Sequence, residues 1–233
     1  MSQAEVKLDL SRIVFIGRTF EEYVKMFDLS AEQMAEKRIL DCPSGACSFT
    51  AVASRQGVDV TAADIAYYYA AEELERKGLQ DIEHAMEHME KAQANYIWDE
   101  YQSVAGLKRT RMQALRDCAA DMKQAPERYV PAVLPELPFP DEAFDITLSA
   151  HFLFMYADRL DYDFHMRTIR ELMRVTREEI RIFPLADLSN RKYEHAGPLL
   201  EYIDSQGWDA EEVRVPYRFQ KNADTMLKLS RRA

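Results

Sequence analysis

Two short apolar runs, each ending in an acid, constrain this chain more than anything else in it. In the stretch 38–64, RILDCPSGACSFTAVASRQGVDVTAAD, the first run closes on Asp41. A tight Pro43-Ser44-Gly45 turn and a helix-like segment follow, and the second run closes on Asp64. Read as strand, turn, helix and strand, this places a carboxylate at the carboxyl end of each strand. Ligands of open parallel α/β sheets sit at those strand ends, so the stretch points to a site as well as a fold.

The alternation extends along the chain. Thr19 with Glu22 and Ser30 with Gln33 have capping-box spacing, so helices are expected over 19–36, within an N-terminal helical segment 13–36. Arg38–Asp41 and 58–63 read as buried strands, with a helix over 48–56 closed by Gly57. Residues 66–128 are charged, poor in glycine and read as helical throughout. They form an insertion in one crossover, and its place near strand ends makes it a candidate cover over a ligand. Strands at 129–133, 145–149, 180–183, 211–215 and 225–229 then follow, with helices at 161–177 and 199–206. The expected fold is α/β: a doubly wound, mostly parallel sheet of about seven strands, helices on both faces and one helical insertion. The whole of 1–233 is expected to form one domain.

Charge and cysteine usage narrow the partners. A formal net charge of −10 disfavours a general phosphate-binding surface, and with it nucleic acid. Cys42, Cys47 and Cys118 have neither zinc-like spacing nor an even framework, so they read as reduced thiols. Residues 1–11 carry acids and lack a signal-peptide core, and no run approaches the ~18 apolar residues of a membrane span. A cytoplasmic protein is expected.

The turn has one glycine where a dinucleotide site wants G-x-G-x-x-G, so a nicotinamide dinucleotide is poorly supported. A carboxylate at the second strand end can instead accept both hydroxyls of a ribose. At these residues the chain resembles the class I S-adenosylmethionine-dependent methyltransferases, especially their small-molecule group. ILDCPSGACSFT stands where that family has an acid followed by a glycine-rich loop, VTAAD stands at its ribose acid, and LPFPDEAFDITLSAHFLF (137–154) looks like its segment leading into the fourth strand. The resemblance covers roughly 36–66 and 129–185.

What the resemblance implies is S-adenosylmethionine as cofactor and methyl transfer to a small-molecule acceptor. By position it implies Asp41 at the methionine amino group, Ser44, Gly45 and Ala46 along the methionine and sulfonium, Asp64 on the ribose and Ile65 against the adenine. Arg18 and Tyr23 lie in a segment that often folds over the cofactor in this family, and an arginine there pairs well with a carboxylate. Pro43 and Cys47 replace the first and third glycines. Val133 replaces the acid beside the adenine amino group, which leaves adenine to backbone groups near Leu134. A protein acceptor, or a non-catalytic sensor of the cofactor, stays open as an alternative.

Outside that frame, His151 follows the 145–149 strand and is the candidate base for an acceptor that must lose a proton, because histidine titrates near neutral pH. Tyr193, His195, Tyr217 and Phe219 fall where substrate surfaces vary, and Phe152, Phe154 and Tyr156 read mainly as core. His84 and His88 match H-x-x-E-H, yet helical spacing puts them opposite Ile82, Met86 and Met89, as a solvated face. Arg167, Arg170, Arg174, Arg177 and Arg181 are interleaved with Glu171, Glu178 and Glu179, as on a salt-bridged helix.

Overall fold

In a computed structural model, the structure describes residues 10, 13–189 and 191–232. The acidic N-terminal stretch read above for a signal peptide lies, apart from Leu10, outside the described residues.

The sheet is built at its centre from apolar runs buried on both faces, with Phe144–Ala150 buried along its whole length. Its strands are β1 (Arg38–Asp41), β2 (Asp59–Asp64), β3 (Tyr129–Pro131), β4 (Phe144–Ala150), β5 (Thr176–Phe183), β6 (Trp208–Arg214) and β7 (Thr225–Arg231), in the order β3-β2-β1-β4-β5-β7-β6. β1 to β5 pair in parallel. The sheet is nonetheless mixed, because β7 runs antiparallel to both β5 and β6. β1 pairs with β2 on one side and β4 on the other, so strand order reverses beside it. Its carboxyl end is the topological switch point, where such sheets bind ligands.

Side chains of one sheet face, among them Ile39, Val60, Ala62, Ile146 and Leu148, pack with Tyr23, Phe49, Leu74 and Leu115. Those last four belong to α1 (Phe20–Met26), α3 (Phe49–Arg55), α4 (Ala71–Lys91) and α5 (Val104–Gln124). On the other face Leu40, Ala63, Ile180, Ile182 and Leu229 meet Ile169, Leu172 and Ile203, of α6 (Tyr162–Val175) and α7 (Ala196–Ser205). Both expected capping boxes form, at the starts of α1 and α2 (Ala31–Met34). Gly57 closes α3 with φ +87°, a conformation that costs glycine little.

The N-terminal segment expected to be helical over 13–36 is helical only from Phe20, and 13–18 runs as non-helical chain. Two further expectations are corrected. Residues 66–128 are not helical throughout: α4 and α5 are separated by 92–103, with only a short 3-10 turn at Gln93–Asn95. There the rings of Tyr96, Trp98 and Tyr101 lie 4.7, 5.5 and 4.9 Å from Phe219, and burying them together outweighs continuing the helix. Within the insertion, α5 buries the longer stripe and packs on α3, while α4 packs on α5. α5 is therefore the crossover helix and α4 the added one. Second, α6 ends at Val175 and β5 begins at once with Thr176, two residues before the expected helix end at 177. Among the described residues no helix is long and apolar enough to cross a membrane.

Candidate functional site

The carboxyl end of β1 delivers Asp41, 0% exposed, beneath the turn that follows. Its Oδ1 accepts from the Tyr23 hydroxyl at 3.1 Å and its Oδ2 from the Ser44 hydroxyl at 2.7 Å. Burial pushes the Asp41 carboxyl up to about 7 despite those two bonds, and the Asp64 carboxylate adds to the rise. Gly45, at φ +56°, caps the turn. A Cβ added there would meet nothing within 4 Å, so the turn presents bare main chain to open space.

Asp64 ends β2 and accepts from the Gly45 N–H on Oδ2 and the Ala66 N–H on Oδ1, both at 2.8 Å. Burial raises its carboxyl, and the two N–H bonds oppose that. Each oxygen keeps accepting capacity beyond the single bond it takes. The Tyr67 hydroxyl donates to the Gly45 carbonyl at 2.8 Å and fixes the turn from behind. Asp41, Ser44, Gly45 and Asp64 are thus brought together, with Ile65 and Leu134 half-buried at the rim and Val133 38% exposed.

A strap, residues 13–18, crosses this turn. The Arg18 N–H donates to Cys47 Sγ at 3.3 Å, and the Ser48 N–H donates to the Arg18 carbonyl at 2.9 Å. The Phe15 N–H ties the other end to Asp81 of α4 at 2.8 Å. A Cβ on Gly17 would fall 1.9 Å from the carbonyl oxygen of Ala46, which is itself fully buried. Gly17→Ala is therefore expected to cost about 2–3 kcal/mol and lower the melting temperature by about 5–10 °C in a thermal unfolding scan.

Beside the strap lies a buried polar cluster that the sequence reading missed. Arg111, on α5, donates from Nη1 to both oxygens of Glu22 at 2.8 and 2.7 Å. Glu22 also takes the Tyr101 hydroxyl, the Tyr217 hydroxyl at 3.0 Å and, as the capping-box acid, the Thr19 N–H at 2.8 Å. Burial alone would raise Glu22. The charges of Arg111 and Arg18 and the bonds from Arg111 and Tyr101 hold it down at about 2. Above, Glu22 was read only as a cap. The missed signal is Arg111 itself: a charge in the apolar stripe Leu107, Ala114, Leu115, Cys118 of α5 needs a buried partner.

His151 follows β4 at φ +54°, and its N–H donates to the Phe183 carbonyl at 2.6 Å. Its ring lies 5.5 Å from Phe183, and its Nδ1 is buried with no hydrogen-bond partner in the chain, as are Arg18 Nε and Arg111 Nη2. Burial, then the charges of Arg18 and Arg111, push His151 well below the usual histidine range, so its ring is neutral at physiological pH. Tyr217 and Phe219 close the same region. Tyr193 and His195 do not: Tyr193 stacks on His165 at 4.2 Å, beside Phe154 on the other sheet face.

The remaining charged motifs, apart from Arg181, are surface features. His84 and His88 are exposed, with their Nε2 atoms 3.1 Å apart, and the described residues contain no group of three or more His, Cys, Asp or Glu placed to hold a metal. Arg167 and Arg174 of α6 and Arg177 are ion-paired with acids, but the stripe is not one helix: Arg177, Glu178, Glu179 and Arg181 stand on β5, where Arg181 is buried against Glu179.

The strand order and the acids at adjacent strand ends around a glycine turn define a Rossmann-type α/β protein with a candidate ligand site at its switch point. Within that class the chain belongs to the same family as the uncharacterized protein MJ0045 of Methanocaldococcus jannaschii. The two are 34% identical over 225 residues, which is 96% of this chain and 99% of the other. No protein-family model matches the chain. Among solved structures it is similar to magnesium protoporphyrin IX methyltransferase from Synechocystis PCC 6803, crystallised with S-adenosylmethionine. That likeness has 11% identity over 86% of this chain and 72% of that one, with a TM-score of 0.48. A putative S-adenosyl-L-methionine-dependent methyltransferase from Methanococcus maripaludis is 13% identical over 100% of this chain and 98% of its own, also with a TM-score of 0.48. At that level of likeness they carry no weight on function.

Proposed function

We propose that this chain is a class I S-adenosylmethionine-dependent methyltransferase acting on a small-molecule acceptor. The observation that carries the reading is the pair Asp41 and Asp64 on either side of Gly45, whose bare main chain faces open space at the switch point. The residues present fit the group. Asp41, when ionised, takes an ammonium, and Arg18, with Nε unpaired, takes the carboxylate of the same amino acid end. Asp64 has accepting capacity left for ribose hydroxyls. Ile65 and Leu134 offer apolar contact at the rim for adenine, and Ser44, Gly45 and Ala46 run between the two ends. Tyr23 positions the Asp41 carboxyl through its 3.1 Å bond.

When bound, S-adenosylmethionine supplies a methyl group on a cationic sulfur, an electrophile that needs little activation. What the protein adds is alignment and exclusion of water, to which alignment contributes up to about 7–11 kcal/mol in well-oriented reactions. The strap, α4 and the 96–103 segment are the parts placed to exclude water, within what we take to be one methyltransferase domain. His151, neutral and with Nδ1 unpaired, is available to receive a proton from the acceptor. The three cysteines are free and buried, which suits a reducing, cytoplasmic setting.

Titration calorimetry with S-adenosylmethionine is expected to show saturable binding at one site per chain. Absence of binding up to about millimolar concentration, an affinity worth only ~4 kcal/mol, would overturn the reading.

A further inference from the structure

The added helix α4 carries a histidine pair that neither its packing nor the switch point uses. Its buried side, Leu74, Gly78, Ile82 and Met86, is fixed against the core, while His84 and His88 stand exposed. At i and i+4 on a helix the two are neighbours on one face. Their Nε2 atoms meet at 3.1 Å, with ring centroids 4.6 Å apart and planes at 83°. Two exposed rings gain little from each other. Water offers each nitrogen an equal partner, and holding the rings together costs rotamer freedom.

The separation suits a metal ion. Two nitrogens bound to one divalent ion at about 2.0–2.1 Å stand ~2.9 Å apart across a right angle and ~3.4 Å apart across a tetrahedral one. The observed 3.1 Å falls between those limits, so small rotations of the rings aim both nitrogens at one ion. The backbone beneath is already fixed by the packing of α4 on α5. Charge favours a cation there too. α4 holds seven acids against three bases, histidines aside, and Glu83 and Glu87 flank the pair. Lys91, the base of α4 within one turn of the pair, is exposed and can turn its ammonium into water.

We propose that His84 and His88 bind one divalent transition-metal ion, with water in its remaining positions. Imidazole nitrogens select copper, nickel and zinc, with copper(II) the tightest, whereas magnesium and calcium want oxygen. Bridging one turn, the ion is a structural clip on the helix whose Asp81 anchors the strap. The proposal does not depend on the methyltransferase reading, and neither cofactor nor acceptor enters its test.

That test is titration of copper(II) chloride into the full chain, with paramagnetic resonance counting the imidazoles on the ion. The wild type is expected to hold one ion on two imidazole nitrogens. His84→Ala and His88→Ala, both at exposed positions, are expected to keep the wild-type circular dichroism. Each is expected to lose at least about tenfold in affinity, ~1.4 kcal/mol, and to show one imidazole or none. His195→Ala, at the remaining exposed histidine, is expected to bind as the wild type does. Magnesium chloride in large excess is expected to leave the copper in place, and displacement by it would overturn the imidazole site. A wild-type ion on a single imidazole, or an affinity that neither His84→Ala nor His88→Ala lowers, also overturns the proposal and leaves an adventitious ion only. Four imidazoles on one ion overturn it in favour of a site shared between two copies.

Discussion

Asp41→Asn is expected to weaken S-adenosylhomocysteine binding by on the order of 100-fold at pH 8, the cost of removing one member of a buried charge pair. It is also expected to abolish a pH dependence that the wild type shows. Burial holds the Asp41 carboxyl at about 7, so below that pH the free protein keeps a proton there. The ammonium of the ligand needs the ionised form, so binding must expel that proton, and wild-type affinity should fall about tenfold per pH unit below about 7 and level off above it. The same shift acts on folding with a defined sign. A carboxyl raised in the fold binds its proton more tightly there than in the unfolded chain, so its contribution to stability declines as pH climbs from 3.8 to about 7. Calorimetric titrations of both proteins between pH 6 and pH 8 decide the matter, and a wild-type affinity flat across that range would show that Asp41 does not meet the ammonium.

The second large effect is on stability. Glu22→Ala removes the partner of a buried guanidinium and deprives the Tyr101 and Tyr217 hydroxyls of their common acceptor. Breaking a buried ion pair from one side costs about 3–5 kcal/mol, which for a chain of this length lowers the melting temperature by about 10–15 °C. Glu22 is held near 2 in the fold against 4.5 as its ordinary value. Its stabilisation is therefore complete above about 4.5 and is lost as pH falls from there toward about 2. Acid unfolding followed by circular dichroism should show a shallower limb in Glu22→Gln than in the wild type. Equal limbs would mean that Glu22 is not charged in the fold.

Much of this architecture was legible because the signals are local. β1 spans Arg38–Asp41 as read, since a four-residue apolar run closed by an acid has few other uses in an α/β chain. The two capping boxes form because their hydrogen bonds join residues three apart. The direction of β7 was not legible, because period-two burial looks the same whichever way a strand runs. The break between α4 and α5 depends on Phe219, more than a hundred residues away from the rings it meets. Glu22 was half legible. Its cap is written in the local spacing, but its bond to Arg111 spans 89 positions and shows only as a charge on an apolar stripe.

The strap over the Gly45 turn bears on ligand exchange. Asp41, Tyr23, Ser44 and Ala46 are all buried, and the chain that covers them is sewn down by main-chain bonds to Cys47, Ser48 and Asp81. Anything that touches Asp41 must arrive and depart while those bonds are open. The tempo of exchange is then set by the chain, on the microsecond-to-millisecond scale of loop gating. A ligand at Asp41 exchanges no faster than residues 13–18 can lift.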